Sequence, residues 1–281
     1  MMQSIQTESI NDAVADTLFI PLYMRARETR MENGIINDPD ACRIVDSVDY
    51  DFSEYDRACR SQIGTCIRVR FFDNVTRNFI ETHDKPVIIN IGCGLDSRAN
   101  RVGGDKGLFY NLDLPEVMEV RDKLLPADER NISLHESLFD AGWPKKIKSE
   151  NPDAQFLLLA EGVLLYFTED EIRPALQQIV RELSPGEILF DASTSIGCKM
   201  SSKHDTVKYS NAKFLLELDD DRLPERWVPN LRLKETRYFM NEEPHRWDFM
   251  SRLMSKVPFI FKAFRMLRYE IQPISAQSNG E

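Results

Sequence analysis

The residues best placed to do chemistry stand together. Gly92, Cys93 and Gly94 end an apolar run, Val87 to Ile91, and Asp96, Ser97 and Arg98 follow at once. A buried strand that runs into a glycine turn usually holds the phosphates or the ribose of a nucleotide. Gly92 and Gly94 let the backbone curl and approach a ligand with no Cβ in the way. Asp113 closes the next apolar run, about twenty residues on. A carboxylate there can accept both hydroxyls of a ribose. This layout predicts an adenosine-containing ligand beyond the carboxyl ends of a parallel sheet.

The turn also limits which adenosine compound fits. A dinucleotide site wants glycine or alanine three residues after the second glycine, so that helix and strand close around a pyrophosphate. Here that place holds Ser97, and Asp96 precedes it. An acid beside the turn repels a pyrophosphate and suits a cation, such as the amino group of a methionine moiety. S-adenosyl-L-methionine carries adenosine, a sulfonium and an amino acid, and no phosphate. The bland alternative is a tight strand-to-helix turn whose acid caps a helix. An NAD(P)-dependent oxidoreductase shares the strand, the turn and the distal acid, and stays open at this point. So does a non-catalytic binding protein of the same fold.

Glu161 interrupts the longest apolar stretch, residues 156–167. A buried carboxylate needs a partner, which is either a ligand or a salt bridge within the fold. His204 and Tyr209 are the candidate general bases. The four histidines show no metal-binding spacing, and the five cysteines form no C-x-x-C pair. They read as reduced thiols of a cytoplasmic protein.

Composition narrows the classes. The formal net charge of -10 disfavours nucleic acid as a partner. The apolar stretch around Glu161 is too short to span a bilayer, so no membrane partner is expected. The expected partner is a small molecule.

The elements that must position these residues follow from periodicity. Residues 55–84 carry apolar side chains three or four apart and predict a long amphipathic helix. Within residues 16–31 a helix is expected to break at Pro21. Five strands are expected within 86–92, 107–115, 131–137, 154–167 and 187–194, with helices between them. Two more are expected within 231–239 and 263–274. Thr168 and Glu171 predict a capping box at one helix start. A helix is expected over residues 245–257. Alternating strands and helices predict an α/β fold with a parallel sheet. Residues 1–84 read as a helical extension and 85–281 as the core, in one compact unit. A cap is expected at about 195–230, over the site.

The segments also resemble a known family. "VIINIGCGLDSRANRV" is similar to the glycine turn of the leucine carboxyl methyltransferase and polyketide O-methyltransferase (TcmP-like) family. "IRVRFFDNV", "NLDLPEVMEVRDKLL" and "LLAEGVLLYFTEDEI" resemble three further segments of that family in the same order. The resemblance covers roughly residues 15–195. It implies a class I methyltransferase (Rossmann-like) fold, a mostly parallel seven-stranded sheet with helices on both faces. It also implies S-adenosylmethionine as cofactor and O-methylation of a small hydroxylated or carboxylated molecule. Carried over, it sets Arg68 on the methionine carboxylate, Gly92 and Gly94 along the methionine moiety, and Asp113 on the ribose. Asp140, with Phe139 beside it, is set near the adenine, although the order here is Leu-Phe-Asp where the family has Asp-Leu. Glu161 is set facing the cofactor and Tyr166 in the substrate cleft.

Overall fold

The computed structural model describes residues 12–103, 106–201 and 213–273. Seven strands form one sheet in the order β3-β2-β1-β4-β5-β7-β6. They are β1 (Pro86–Ile91), β2 (Leu108–Asp113), β3 (Asn131–His135), β4 (Gln155–Ala160), β5 (Gly186–Ser193), β6 (Leu231–Tyr238) and β7 (Phe264–Ile271). The first five are parallel to their neighbours, and β7 runs antiparallel between β5 and β6. This is the α/β sheet expected from the alternating pattern, with the seven strands and mostly parallel order that the family resemblance implies. β1 and β4 are buried along nearly their whole length, as strands covered on both faces must be. The chain order reverses between β1 and β4, which makes their carboxyl ends the switch point where ligands bind.

The helices are α1 (Asp12–Thr29), α2 (Pro39–Ser47), α3 (Cys59–Thr82), α4 (Arg98–Val102), α5 (Pro115–Leu124), α6 (Gly142–Glu150), α7 (Glu169–Glu182), α8 (Ser195–Ser201), α9 (Leu223–Trp227), α10 (Phe249–Met254) and α11 (Pro258–Phe261). One core lies between the sheet and α6, α7 and α9, around Trp143, Ile147, Leu176 and Trp227. A second lies on the opposite face under α3, around Phe72, Phe79 and Leu157.

Three expectations need correction. Pro21 does not break α1, which runs through it from Asp12 to Thr29. Phe19, Leu22 and Met24 around it are fully buried, and that packing outweighs the missing hydrogen bond. The long helix starts at Cys59, not at residue 55, because Ser53–Tyr55 form a separate 3-10 turn. The helix expected over 245–257 is only α10, six residues long. At α7 the expected cap is present: the Glu171 carboxylate accepts the Thr168 backbone N–H at 2.8 Å.

The helices before β1 hold the glycine turn rather than standing apart. Arg25 of α1 donates to the Leu95 carbonyl at 2.7 Å. Asp38, the N-cap of α2, accepts the Ser97 hydroxyl at 2.7 Å. In the expected cap, α8 is followed by a short parallel bridge between Ser193 and Glu217. Met200 and Phe214 face a cavity there, whereas Trp227 of α9 is buried with the α7 core instead. His204 and Tyr209 lie outside the described residues.

Candidate active site

Three loops meet at the switch point. The first leaves β1 through Gly92 (φ 61°) and Gly94 (φ 45°), both in the left-handed region. A Cβ on Gly92 would sit 2.4 Å from a methyl carbon of Val163. The turn after β1 and the turn after β4 therefore touch, and only glycine permits it. Gly92→Ala combines a left-handed alanine with that clash. It is expected to cost about 2–4 kcal/mol in chemical denaturation. Adding Val163→Ala should restore only the part due to crowding.

The second loop brings Asp113 from the end of β2. Its Oδ2 accepts the Gly94 N–H and its Oδ1 the Leu114 N–H, each at 2.8 Å. These bonds aim the carboxylate at the glycine turn, and each oxygen keeps another lone pair for a ribose hydroxyl. Burial raises the Asp113 pKa, and the two N–H donors only partly offset that.

The third loop follows β4 and carries Glu161. Its carboxylate takes Arg68 Nε on one oxygen at 3.1 Å and Arg98 Nη2 on the other at 2.5 Å. The internal salt bridge weighed as the alternative for Glu161 is thus present. Arg68 also donates Nη1 to Asp191, at the end of β5, at 2.9 Å. Asp191 in turn accepts the Gly162 N–H at 2.6 Å. Burial alone would lower the Arg68 pKa, but Asp191 and Glu161 hold it above the ordinary arginine value. Nη2 of Arg68 lies against Gly162, where a Cβ would approach it to 3.2 Å.

These pairs belong to a larger ion cluster. Arg98 also meets Asp73 at 2.9 Å and Asp96 at 3.3 Å. Arg101 meets Asp73, Asp38 and Asp96 at 2.9, 3.0 and 2.7 Å. Asp38 closes on Arg25 at 2.8 Å. Four guanidiniums thus face five carboxylates from Asp38 through to Asp191, before Asp113 is added. Sequence reasoning missed Asp38, Asp73 and Asp191 altogether. An acid near the end of an otherwise apolar strand, "EILFDAST", was the available signal for Asp191.

Asp96 departs from its expected place facing an ammonium group. Its side chain turns into the cluster, where Asn90 Nδ2 donates to Oδ2 at 3.1 Å. Burial would raise its pKa, but Arg101 and Arg98 hold it below the usual carboxylate range. Asp140 is exposed, and its carboxylate accepts the Ser137 backbone N–H at 2.7 Å within its own turn. Phe139 is exposed beside it and stacks edge-on against Phe167, with ring centroids 4.9 Å apart.

The excess of carboxylate charge fits a cofactor with net positive charge. A dinucleotide finds little to hold it: Arg25, Arg98 and Arg101 are each committed to carboxylates, and Arg121 is buried and donates to the Gly94 and Asp96 carbonyls of the turn itself. A pyrophosphate placed there would meet the Asp113 carboxylate.

Next to this crevice is a cavity of about 290 Å³. Its walls are apolar, including Leu165, Met200, Phe214, Met240 and Trp247, and Arg68, Tyr166 and Asp191 also line it. Arg68 and Asp191 therefore reach both the ion cluster and the cavity. Tyr166 lines this cavity and packs edge-on against Phe214. Burial raises its pKa, so it stays a neutral phenol.

Residues 19–180 match the model of the family described as leucine carboxyl methyltransferase. The chain belongs to that family. Among curated relatives, it is 27% identical over 263 residues to the tetracenomycin polyketide synthesis O-methyltransferase TcmP of Streptomyces glaucescens, covering 91% of this chain and 96% of that one. It is 28% identical over 247 residues to the S-adenosyl-L-methionine-dependent methyltransferase dpfgK of Gibberella zeae, covering 81% and 83%. Among solved structures, a DUF574 family protein from Streptomyces avermitilis superposes with TM-score 0.55 at 12% identity, covering 92% of this chain and 100% of that one. A SAM-dependent methyltransferase from Anabaena variabilis superposes with TM-score 0.51 at 10% identity, covering 80% and 96%. These two share the fold. The family's class I methyltransferase fold is the α/β sheet described above. Among the described residues, no helix is long and apolar enough to cross a membrane.

Proposed function

We propose that this chain is an S-adenosylmethionine-dependent O-methyltransferase acting on a small molecule whose accepting oxygen is a carboxylate or an acidic hydroxyl. One observation carries the reading. The carboxyl ends of β1, β2 and β4 present a glycine turn, a ribose-competent acid and a carboxylate-rich ion cluster, directly beside an apolar cavity.

When bound, the cofactor supplies a methyl group activated by positive sulfur. The chain's own residues hold and orient. Asp113 accepts the ribose hydroxyls, and the backbone at Gly92 and Gly94 lies along the methionine moiety. Arg68, fixed from two sides by Glu161 and Asp191, offers Nη2 to the methionine carboxylate. Glu161 adds negative charge facing the cofactor. Phe139 offers an exposed ring to the adenine, and Asp140 its carboxylate to the adenine amino group. Apolar walls exclude water from the acceptor. Holding two reactants in attack geometry supplies roughly 7–11 kcal/mol in ideal cases.

The cavity lining favours an acceptor that is already ionised. It contains no histidine among the described residues, Tyr166 is a neutral phenol, and Asp191 is occupied by Arg68 and Gly162. A carboxylate needs no base. Incubation with labelled S-adenosylmethionine and a panel of aromatic and aliphatic carboxylic acids, phenols and alcohols tests this. Methyl esters or aryl ethers are expected, and S-adenosylhomocysteine should accumulate. Methylation of neutral alcohols only would contradict the acceptor class, and failure to bind the cofactor would contradict the whole reading.

Gly64 explains part of the cavity. It sits inside α3, where glycine costs about 1 kcal/mol relative to alanine, and a Cβ there would meet nothing within 4 Å. It also lines the cavity. Gly64→Leu should fill the acceptor space: turnover is expected to fall at least about a hundredfold, with cofactor affinity unchanged in calorimetry. Equal loss of both would show that cavity and crevice are not separate.

A further inference from the structure

We infer that α10 and α11 form a docking face for an anionic lipid surface. The acceptor would then enter the cavity from the membrane side. The face lies outside the cofactor crevice. Phe249, Met250 and Leu253 on α10 and Phe259 on α11 are large apolar side chains left exposed, Phe249 to 71%. The same two short helices turn Ser251, Met254, Ile260 and Phe261 into the cavity. Each helix is thus apolar on both its cavity side and its outer side. A core-facing element needs only the first.

Charge selects the occupant. Arg252, Lys256 and Lys262 are exposed among these four side chains and form no ion pair with a described residue. The acids that precede them in the chain are already taken: Asp248 by Arg60 at 2.7 Å and Glu243 by Arg70 at 2.5 Å. A cationic, aromatic-rich patch on a chain of net charge -10 is a local reversal. Protruding Phe, Met and Leu with flanking Lys and Arg match the boundary between acyl chains and anionic headgroups. In a two-fold dimer, a second copy would bring this same cationic patch against itself.

Flotation with lipid vesicles tests this without cofactor, so its outcome is independent of the methyltransferase reading. The protein should float with phosphatidylcholine vesicles containing phosphatidylglycerol, and not with phosphatidylcholine alone. Added salt should weaken the binding. Phe249→Ser with Leu253→Ser should reduce it about tenfold or more, with an unchanged melting temperature because both side chains are exposed. Arg252→Gln with Lys256→Gln should lower the binding and flatten its salt dependence. No flotation with either vesicle would overturn the inference. So would flotation unchanged by the serine pair. A dimer in analytical ultracentrifugation that the serine pair dissociates would assign the face to a second copy instead.

Discussion

Asp113→Ala is expected to weaken S-adenosylmethionine binding by at least about a hundredfold in titration calorimetry. Two ribose hydroxyls donating to a charged acceptor are each worth about 1.5–3 kcal/mol, and the variant also frees the Gly94 and Leu114 N–H groups. Asp113→Asn keeps one acceptor oxygen and should lose less. The pH dependence has a definite sign. The carboxylate is the form that accepts the ribose, and burial raises the pKa of Asp113 in the free protein. As pH falls, wild-type affinity should therefore decline above the range where an ordinary aspartate titrates. The alanine variant should lack that inflection. Equal affinity of wild type and Asp113→Ala would remove the ribose role.

Arg98→Leu is expected to be the most destabilising single change in the site, at about 3–5 kcal/mol in chemical denaturation. Arg98 is 1% exposed and touches Asp73, Asp96 and Glu161. Removing it leaves three carboxylates facing one another with less compensation. Such a loss is a large share of the roughly 5–15 kcal/mol that holds a typical domain folded. Arg98→Lys keeps the charge but not the planar fork, and should fall between. Acid acts on the same cluster. Burial opposes ionisation of Asp38 and Asp96, but the neighbouring arginines hold both pKa values below the unfolded value. Their contribution is present above the ordinary carboxylate range, about pH 4, and is lost as pH falls through the depressed folded values. The gap between wild type and Arg98→Leu should therefore narrow on acidification. A gap that stayed constant with pH would show that Arg98 acts through packing alone.

What the sequence made legible was what local spacing encodes. The seven strands, the turn at Gly92 and Gly94, and the acid ending β2 follow from runs of apolar residues and the glycines that stop them. Pro21 misled because a local rule competed with burial of Phe19, Leu22 and Met24, which only the tertiary fold supplies. The ion cluster was out of reach for a related reason. Asp38 meets Arg101 from 63 residues away, and Asp191 meets Arg68 from 123. No periodicity joins such positions. The charges of Asp96 and Glu161 were visible in the sequence. The arginines that neutralise them were visible too, but their pairing was not.

The most direct test is a crystal structure grown with S-adenosylhomocysteine. Density for the nucleoside is expected between the turns after β1 and β2, with both ribose hydroxyls on Asp113 and the amino-acid end toward Arg68. A crevice left empty, with the compound elsewhere or missing, would contradict the proposed cofactor site.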